Sequence, residues 1–179
     1  EDSIYIATAR GFDEFSILSN QIVQNEDALS KTLRNSEIYD ILIVDKIIYI
    51  ASEKGLFKKY LDIDAHQILS DRKFKKIEIY KDSIFASDGD LWKINLFDLK
   101  INKFSPDVFN FSISKDLIWL NHFDYCELVN INTYNSWNFD YQIGGVGLMI
   151  YDIESNDDRV WFMTNNGVAV YKWDLNDYE

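Results

Sequence analysis

The stretch RVWFMTNNGVAVYKW (159–173) is a short apolar run, a polar turn closed by glycine, and a second apolar run. Trp161-Phe162 stands before the turn, Thr164-Asn165-Asn166-Gly167 forms it, and Val168 follows. Short β-branched and aromatic segments bounded by turn residues predict two antiparallel strands of a hairpin. The turn has a mechanism. A hydroxyl at its first position can bond the backbone, and glycine takes the positive-φ conformation that closes a hairpin of three to five residues.

The phrase recurs. IYIATARGFDEF (4–15) and IYIASEKGLFKKY (48–60) carry it as Thr8-Ala9-Arg10-Gly11 and Ser52-Glu53-Lys54-Gly55, each after a Tyr-Ile pair. SIFASDGDLWKIN (83–95) aligns on the second of these with its glycine displaced by one, placing Asp90 in the glycine column. IWLNHFDYCELVN (118–130) keeps Trp119-Leu120 and replaces the turn with His122-Phe123-Asp124-Tyr125. The turn column falls at 11, 55, 90, 125 and 167, a period of about 35 to 45 residues that indicates a solenoid, a propeller or an array.

Each unit after the first has an upstream strand, at 39–45, 75–81, 109–115 and 148–154, and a more polar strand downstream, as in LDIDAHQIL and LKINKFS. The inner strands are apolar on both faces and the outer ones alternate. Ala7, Ala51 and Ala86 recur where crowded sheets favour a small side chain. The expected fold is an all-β propeller of four-stranded antiparallel blades, with four to five repeats in one unit spanning 1–179 and hairpins near 4–15, 48–60, 83–95, 118–130 and 160–173. Both chain ends hold second and third strands, so they do not complete one blade together, and the expectation is a contiguous portion of a larger propeller. The polar NEDALSKTLRNSE (25–37) lengthens the first connection and has room for one helical turn.

The repeat resembles the two-component-regulator propeller repeat, in which an aromatic–aliphatic strand is followed by Thr, two polar residues, Gly-Leu and an aromatic. Trp161, Thr164, Gly167 and Tyr171 carry the likeness, with Tyr49, Ser52, Gly55 and Leu56 and with Tyr5, Thr8 and Gly11; the copies at 84–94 and 118–129 depart at the glycine. Such repeats occur in extracytoplasmic sensor regions of bacterial hybrid histidine kinases and in envelope proteins of Bacteroidota-like bacteria, including secretion-associated ones. The resemblance implies an extracytoplasmic, non-enzymatic recognition or scaffolding propeller. Its partner would be a protein or an extracellular ligand, and the segment would be a periplasmic sensor region or a surface or secretion component.

Composition narrows the classes. The chain has 179 residues, 47% hydrophobic and 16% aromatic, with one proline and a net charge of -12. That aromatic content fits tightly packed sheets, and that charge disfavours a nucleic-acid partner. The basic run Arg72-Lys73-Phe74-Lys75-Lys76 fits a solvated edge that discourages strand pairing. No apolar run reaches the roughly 18 residues needed to span a bilayer.

Candidate chemistry is sparse. His66 and His122 lack a second ligand at metal spacing, so a structural role is set against ligation for each. Cys126, the single cysteine, is a buried small hydrophobe or, with His122 four residues before it, a nucleophile with its base. The carboxylates of YDIESNDD (151–158) and SDGD (87–90) form solvated turns or, from different blades, a glycosidase-like pair. ESNDD lacks the glycine of a calcium loop, and IGGVG (143–147) lacks phosphate-loop spacing. No catalytic residue, metal or cofactor is expected. The alternative to a binding module is a carboxylate-using glycan lyase or hydrolase. Inter-blade loops and hairpin turns share one face in propellers, which makes Arg10, Lys54, His122, Asn165 and Asn166 the candidate binding residues at the channel mouth, an analogy at fold level.

Overall fold

The computed structural model describes residues 3–23, 26–140 and 149–172. IGGVG (143–147) lies outside these residues. The first sheet contains β1 (Ser3–Thr8), β2 (Gly11–Ser16) and β3 (Gln21–Val23), and a helix, α1 (Ala28–Leu33), follows. The second contains β4 (Ile38–Val44), β5 (Ile47–Ser52), β6 (Gly55–Tyr60) and β7 (His66–Ser70). The third contains β8 (Lys76–Tyr80), β9 (Ser83–Ser87), β10 (Gly89–Asn95) and β11 (Ile101–Val108). The fourth holds β12 (Asn110–Ser114), β13 (Leu117–Asn121), β14 (Tyr125–Asn130) and β15 (Ser136–Asp140). The fifth holds β16 (Ile150–Ser155), β17 (Arg159–Thr164) and β18 (Gly167–Lys172).

Within every sheet, consecutive strands are hydrogen-bonded neighbours. Five small meanders succeeding one another along the chain are the blades of a β-propeller, the fold class expected from the repeat. The chain forms two compact units, Glu1–Asp88 with Ile94–Lys100 and Gly89–Lys93 with Ile101–Glu179.

In the first unit, Phe12 of β2, Leu29 and Leu33 of α1, and Ile48, Ile50 and Phe57 of the second sheet form one core, with Tyr5 and Ile41 packed against it. The helix replaces a plain connection. Asp27 caps it, its Oδ1 accepting from Ser30 N at 2.7 Å, and the second sheet holds it through Asp64 Oδ1, which accepts from Ala28 N at 2.7 Å. Asp27 Oδ2 also accepts from Lys59 Nζ of β6, an ion pair almost closed to solvent.

Burial raises the Asp27 carboxyl, but the bonds from Lys59 and Ser30 outweigh it and hold the group below its usual 3.8. A carboxyl depressed on folding contributes stability that is complete above its unfolded pKa and is lost as pH falls through the folded one. Asp27→Asn is therefore expected to be less stable than the parent at pH 6. The gap should close as pH falls below 3.8, as read by denaturant midpoints across pH.

In the second unit, Leu117, Trp119, Cys126 and Leu128 of the fourth sheet pack on Ile153 and Val160 of the fifth. Two polar bonds accompany this packing. Ser112 Oγ lies 2.8 Å from Ser155 Oγ and accepts from Ser155 N at 2.9 Å. The Asn110 amide of β12 donates to Asp152 Oδ1 of β16. The first unit has a counterpart: Asp40 Oδ2 of β4 accepts from Ile77 N of β8 at 2.8 Å.

In the second, third and fourth sheets the second strand is the more buried, not the first. All five residues of β9 and of β13 are buried, whereas six of seven in β4 are half-buried. A second strand has neighbours on both sides within its sheet, while a first strand has one open edge. Ala51 and Ala86 are buried as the small-residue argument requires; Ala7, in the first sheet, is exposed.

Candidate functional site

The recurring turn is one geometry built three times. Thr8 Oγ1 donates to Gly11 O at 2.7 Å and accepts from Arg10 N at 3.1 Å. Ser52 Oγ does the same with Gly55 O (3.0 Å) and Lys54 N (3.2 Å), and Thr164 Oγ1 with Gly167 O (2.8 Å) and Asn166 N (3.1 Å). The glycines hold φ of 130, 122 and 113 degrees, which a side chain disfavours. The displaced glycine of the third sheet, Gly89, also takes positive φ, at 108 degrees. It opens β10 directly, so that turn is one residue shorter.

Each candidate residue is tied to a chain connection at its own turn. Arg10 is exposed; its carbonyl accepts from Asn35 N at 2.9 Å, just beyond α1. Lys54 Nζ donates to Thr32 O at 2.7 Å, a cation on a last-turn helix carbonyl. Arg10 and Lys54 thus both meet the helix-bearing connection. In the second unit, Asn165 exchanges two bonds with Met149, its N donating to Met149 O at 3.1 Å and its Oδ1 accepting from Met149 N at 3.2 Å. Asn166 serves the turn itself through Thr164.

His122 differs from the rest because it is buried, with 5% exposure. Its ring stacks on Tyr125 at 4.4 Å and 13 degrees, across the Phe123-Asp124 tip. Nδ1 lies 3.1 Å from Asp107 O, and Nε2 lies 3.4 Å from the Glu127 carboxylate. The imidazole thereby fixes Asp107, which has φ of 52 degrees. His122→Ala removes the bond and the stack together. The expected loss is about 1–3 kcal/mol, read as a lower denaturation midpoint.

What His122 supports is the part that sequence reasoning missed. Phe109 is 60% exposed and Phe123 is 77% exposed, with ring centroids 6.4 Å apart. Phe109 N donates to Asn121 O at 2.9 Å, so backbone bonds anchor its position. Tyr151 of β16 is 63% exposed, and its carbonyl lies 3.4 Å from the Asn110 amide next to Phe109. A signal was present. Tyr39-Asp40, Phe109-Asn110 and Tyr151-Asp152 each place an aromatic before the polar residue that crosses to the neighbouring sheet.

The other candidates have structural surroundings. Cys126 is buried beside Leu117, Trp119 and Leu128, and the His66 ring lies 5.8 Å from that of Phe57. Asp88 accepts both Nε and Nη2 of Arg72, at 3.0 and 2.7 Å. Asp90 pairs with Lys103, and Asp157 lies 3.7 Å from Lys115. Glu154 and Ser155 of ESNDD end β16 and residues 156–158 turn into β17, where Asn156 Oδ1 accepts from Asp158 N and Arg159 N at 3.2 and 3.0 Å. Among the described residues, no group of three His, Cys, Asp or Glu is disposed to hold a metal, and no helix is long and apolar enough to cross a membrane.

These blades and turns define a β-propeller, and solved structures share the fold. The chain is similar to the extracellular domain of the proposed hybrid two-component system BT3049 of B. thetaiotaomicron: TM-score 0.73, 16% identity, 99% of this chain and 26% of that one. It is similar to the corresponding domain of BT4673 from the same organism: TM-score 0.62, 20% identity, 76% and 20% covered. It is also similar to PorZ, a surface component of the type-IX secretion system of Porphyromonas gingivalis: TM-score 0.64, 12% identity, 96% and 23% covered. At these identities the likeness establishes the fold. The chain spans about a fifth to a quarter of the length of these proteins. No protein-family model matches the sequence, and no curated protein does.

Proposed function

We propose that this chain is a non-enzymatic recognition or scaffolding segment of a bacterial envelope protein, acting outside the cytoplasm on a protein partner or extracellular ligand. The observation that carries this reading is the turn end of the second unit. There, exposed Phe109, Phe123 and Tyr151 stand on backbone held by ladder bonds and the His122–Asp107 contact. Exposed aromatics on a rigid scaffold suit recognition. The solved neighbours, regulator domains and a secretion component, support the setting.

The same reading takes the chain as a stretch of a larger propeller. Trp119 of the fourth sheet is covered by Phe162 and Tyr171 of the fifth. On the corresponding face of the fifth sheet, Met163, Val168 and Val170 are exposed. A further blade would cover them.

The test pairs co-purification from the source organism's envelope with an oligosaccharide turnover panel. A stoichiometric partner and no turnover support the reading. Turnover that disappears when turn-end aspartates become asparagines overturns it in favour of a glycan-active enzyme.

A further inference from the structure

We infer that the turn end of the second unit docks an arginine-bearing segment of a partner protein, an inference that rests on the recognition reading above. Phe109 and Phe123 form an exposed aromatic pair with centroids 6.4 Å apart, and the carbonyl of Tyr151, an exposed residue of the next blade, lies 3.4 Å from the Asn110 amide beside them. Carboxylates border it. Asp107, two residues before Phe109, and Asp124, directly after Phe123, are both exposed. Lys103 bonds Asp90 and sits 5.2 Å over the Trp92 ring, and Asp90 Oδ1 accepts from Asp107 N at 3.0 Å. The surface is therefore aromatic with an acidic border.

That pairing selects one side chain. A guanidinium stacks flat on an aromatic face and forks its N–H groups into a carboxylate, while a lysine ammonium offers only a point charge. The chain's net charge of -12 draws cationic partners toward it from a distance. The corner is also preorganised. The His122 Nδ1 contact holds Asp107 in its left-handed conformation, and stacking on Tyr125 fixes the turn that carries Phe123. Ordering costs at such a surface are already met before binding. His122 is thus a positioning residue, and Phe109, Phe123, Asp107 and Asp124 make the contacts.

The test is an amide NMR titration of the full 179-residue chain with hexa-arginine, hexalysine and hexaglutamate peptides. Hexa-arginine is expected to shift residues 107–110, 122–125 and 151 selectively and to bind about 3- to 10-fold more tightly than hexalysine, with hexaglutamate inert. Combining Phe109→Ala with Phe123→Ala should weaken hexa-arginine about tenfold without lowering the melting temperature. Phe97→Ala, which removes an equally exposed phenylalanine elsewhere, should leave affinity unchanged. Shifts spread over the whole acidic surface, equal for both cationic peptides and indifferent to the phenylalanine changes, would overturn the site. The recognition reading would survive that result, because partner co-purification is measured independently of it.

Discussion

Replacing Trp119 by alanine is expected to destabilise the second unit by about 3–5 kcal/mol. The indole is almost completely buried on β13. It lies 5.2 Å from the ring of Phe139 in its own sheet, and 5.6 and 6.4 Å from Phe162 and Tyr171 in the next. The last two contacts are edge-on, at 88 and 71 degrees, a favourable arrangement for aromatic quadrupoles. Truncation leaves a void between two sheets, and neither can close over it. β13 is fixed by its ladders to β12 and β14, and the fifth sheet is held by Asn110–Asp152 and Ser112–Ser155. The transfer and cavity contributions therefore add. Denaturant unfolding should show a lower midpoint, and Trp119→Phe should recover much of the loss. A change below about 1 kcal/mol, the usual range of a surface substitution, would mean that this face carries no core.

Gly55→Ala is the second large effect, about 3 kcal/mol, and it has an internal control. A Cβ at Gly55 would lie 2.3 Å from the Ser70 carbonyl oxygen and 3.1 Å from Asp71 Cα. Ser70 is paired with Leu56 in the ladder between β6 and β7, so this oxygen cannot retreat without opening the sheet. The φ of 122 degrees adds conformational strain. Gly167 has a similar φ of 113 degrees but nothing within 4 Å of its would-be Cβ. Gly167→Ala should therefore cost about 1 kcal/mol, the backbone contribution alone. Equal losses at the two sites would show that crowding at Ser70 is not what demands glycine there.

The fold was legible because its key element is local. Thr or Ser followed three positions later by glycine dictates one turn, and flanking β-branched and aromatic residues dictate its strands. Copies of one phrase then reveal the period. The displaced glycine of the third copy proved to be a shorter turn with the same positive φ at Gly89.

A second recurring turn went unread. Asn95 Oδ1 accepts from Phe97 N and Asp98 N, and Asn130 Oδ1 accepts from Asn132 N and Thr133 N, each joining a third strand to a fourth. Leu99 and Tyr134 occupy the left-handed positions there, at 56 and 61 degrees. Without glycine, those turns carry little signal in one sequence.

The site was less legible than the fold. His122 stands in a polar-looking turn, and nothing local announces that Tyr125 stacks on it or that Asp107, fifteen residues earlier, receives its Nδ1. Those contacts join separate stretches of the chain. The exposure of Phe109 and Phe123 is equally non-local, since an apolar residue beside a strand is by default assigned to the core.

The central claim is that each hairpin phrase builds its own sheet. Cross-strand amide and Hα NOEs test it directly. They should join Ile41 to Ile50 and Ile50 to Phe57 within the second sheet, and Phe111 to Leu120 and Trp119 to Leu128 within the fourth. Ladder NOEs running instead from β7 to β8, or from β15 to β16, would merge these blades into one continuous sheet and contradict the account.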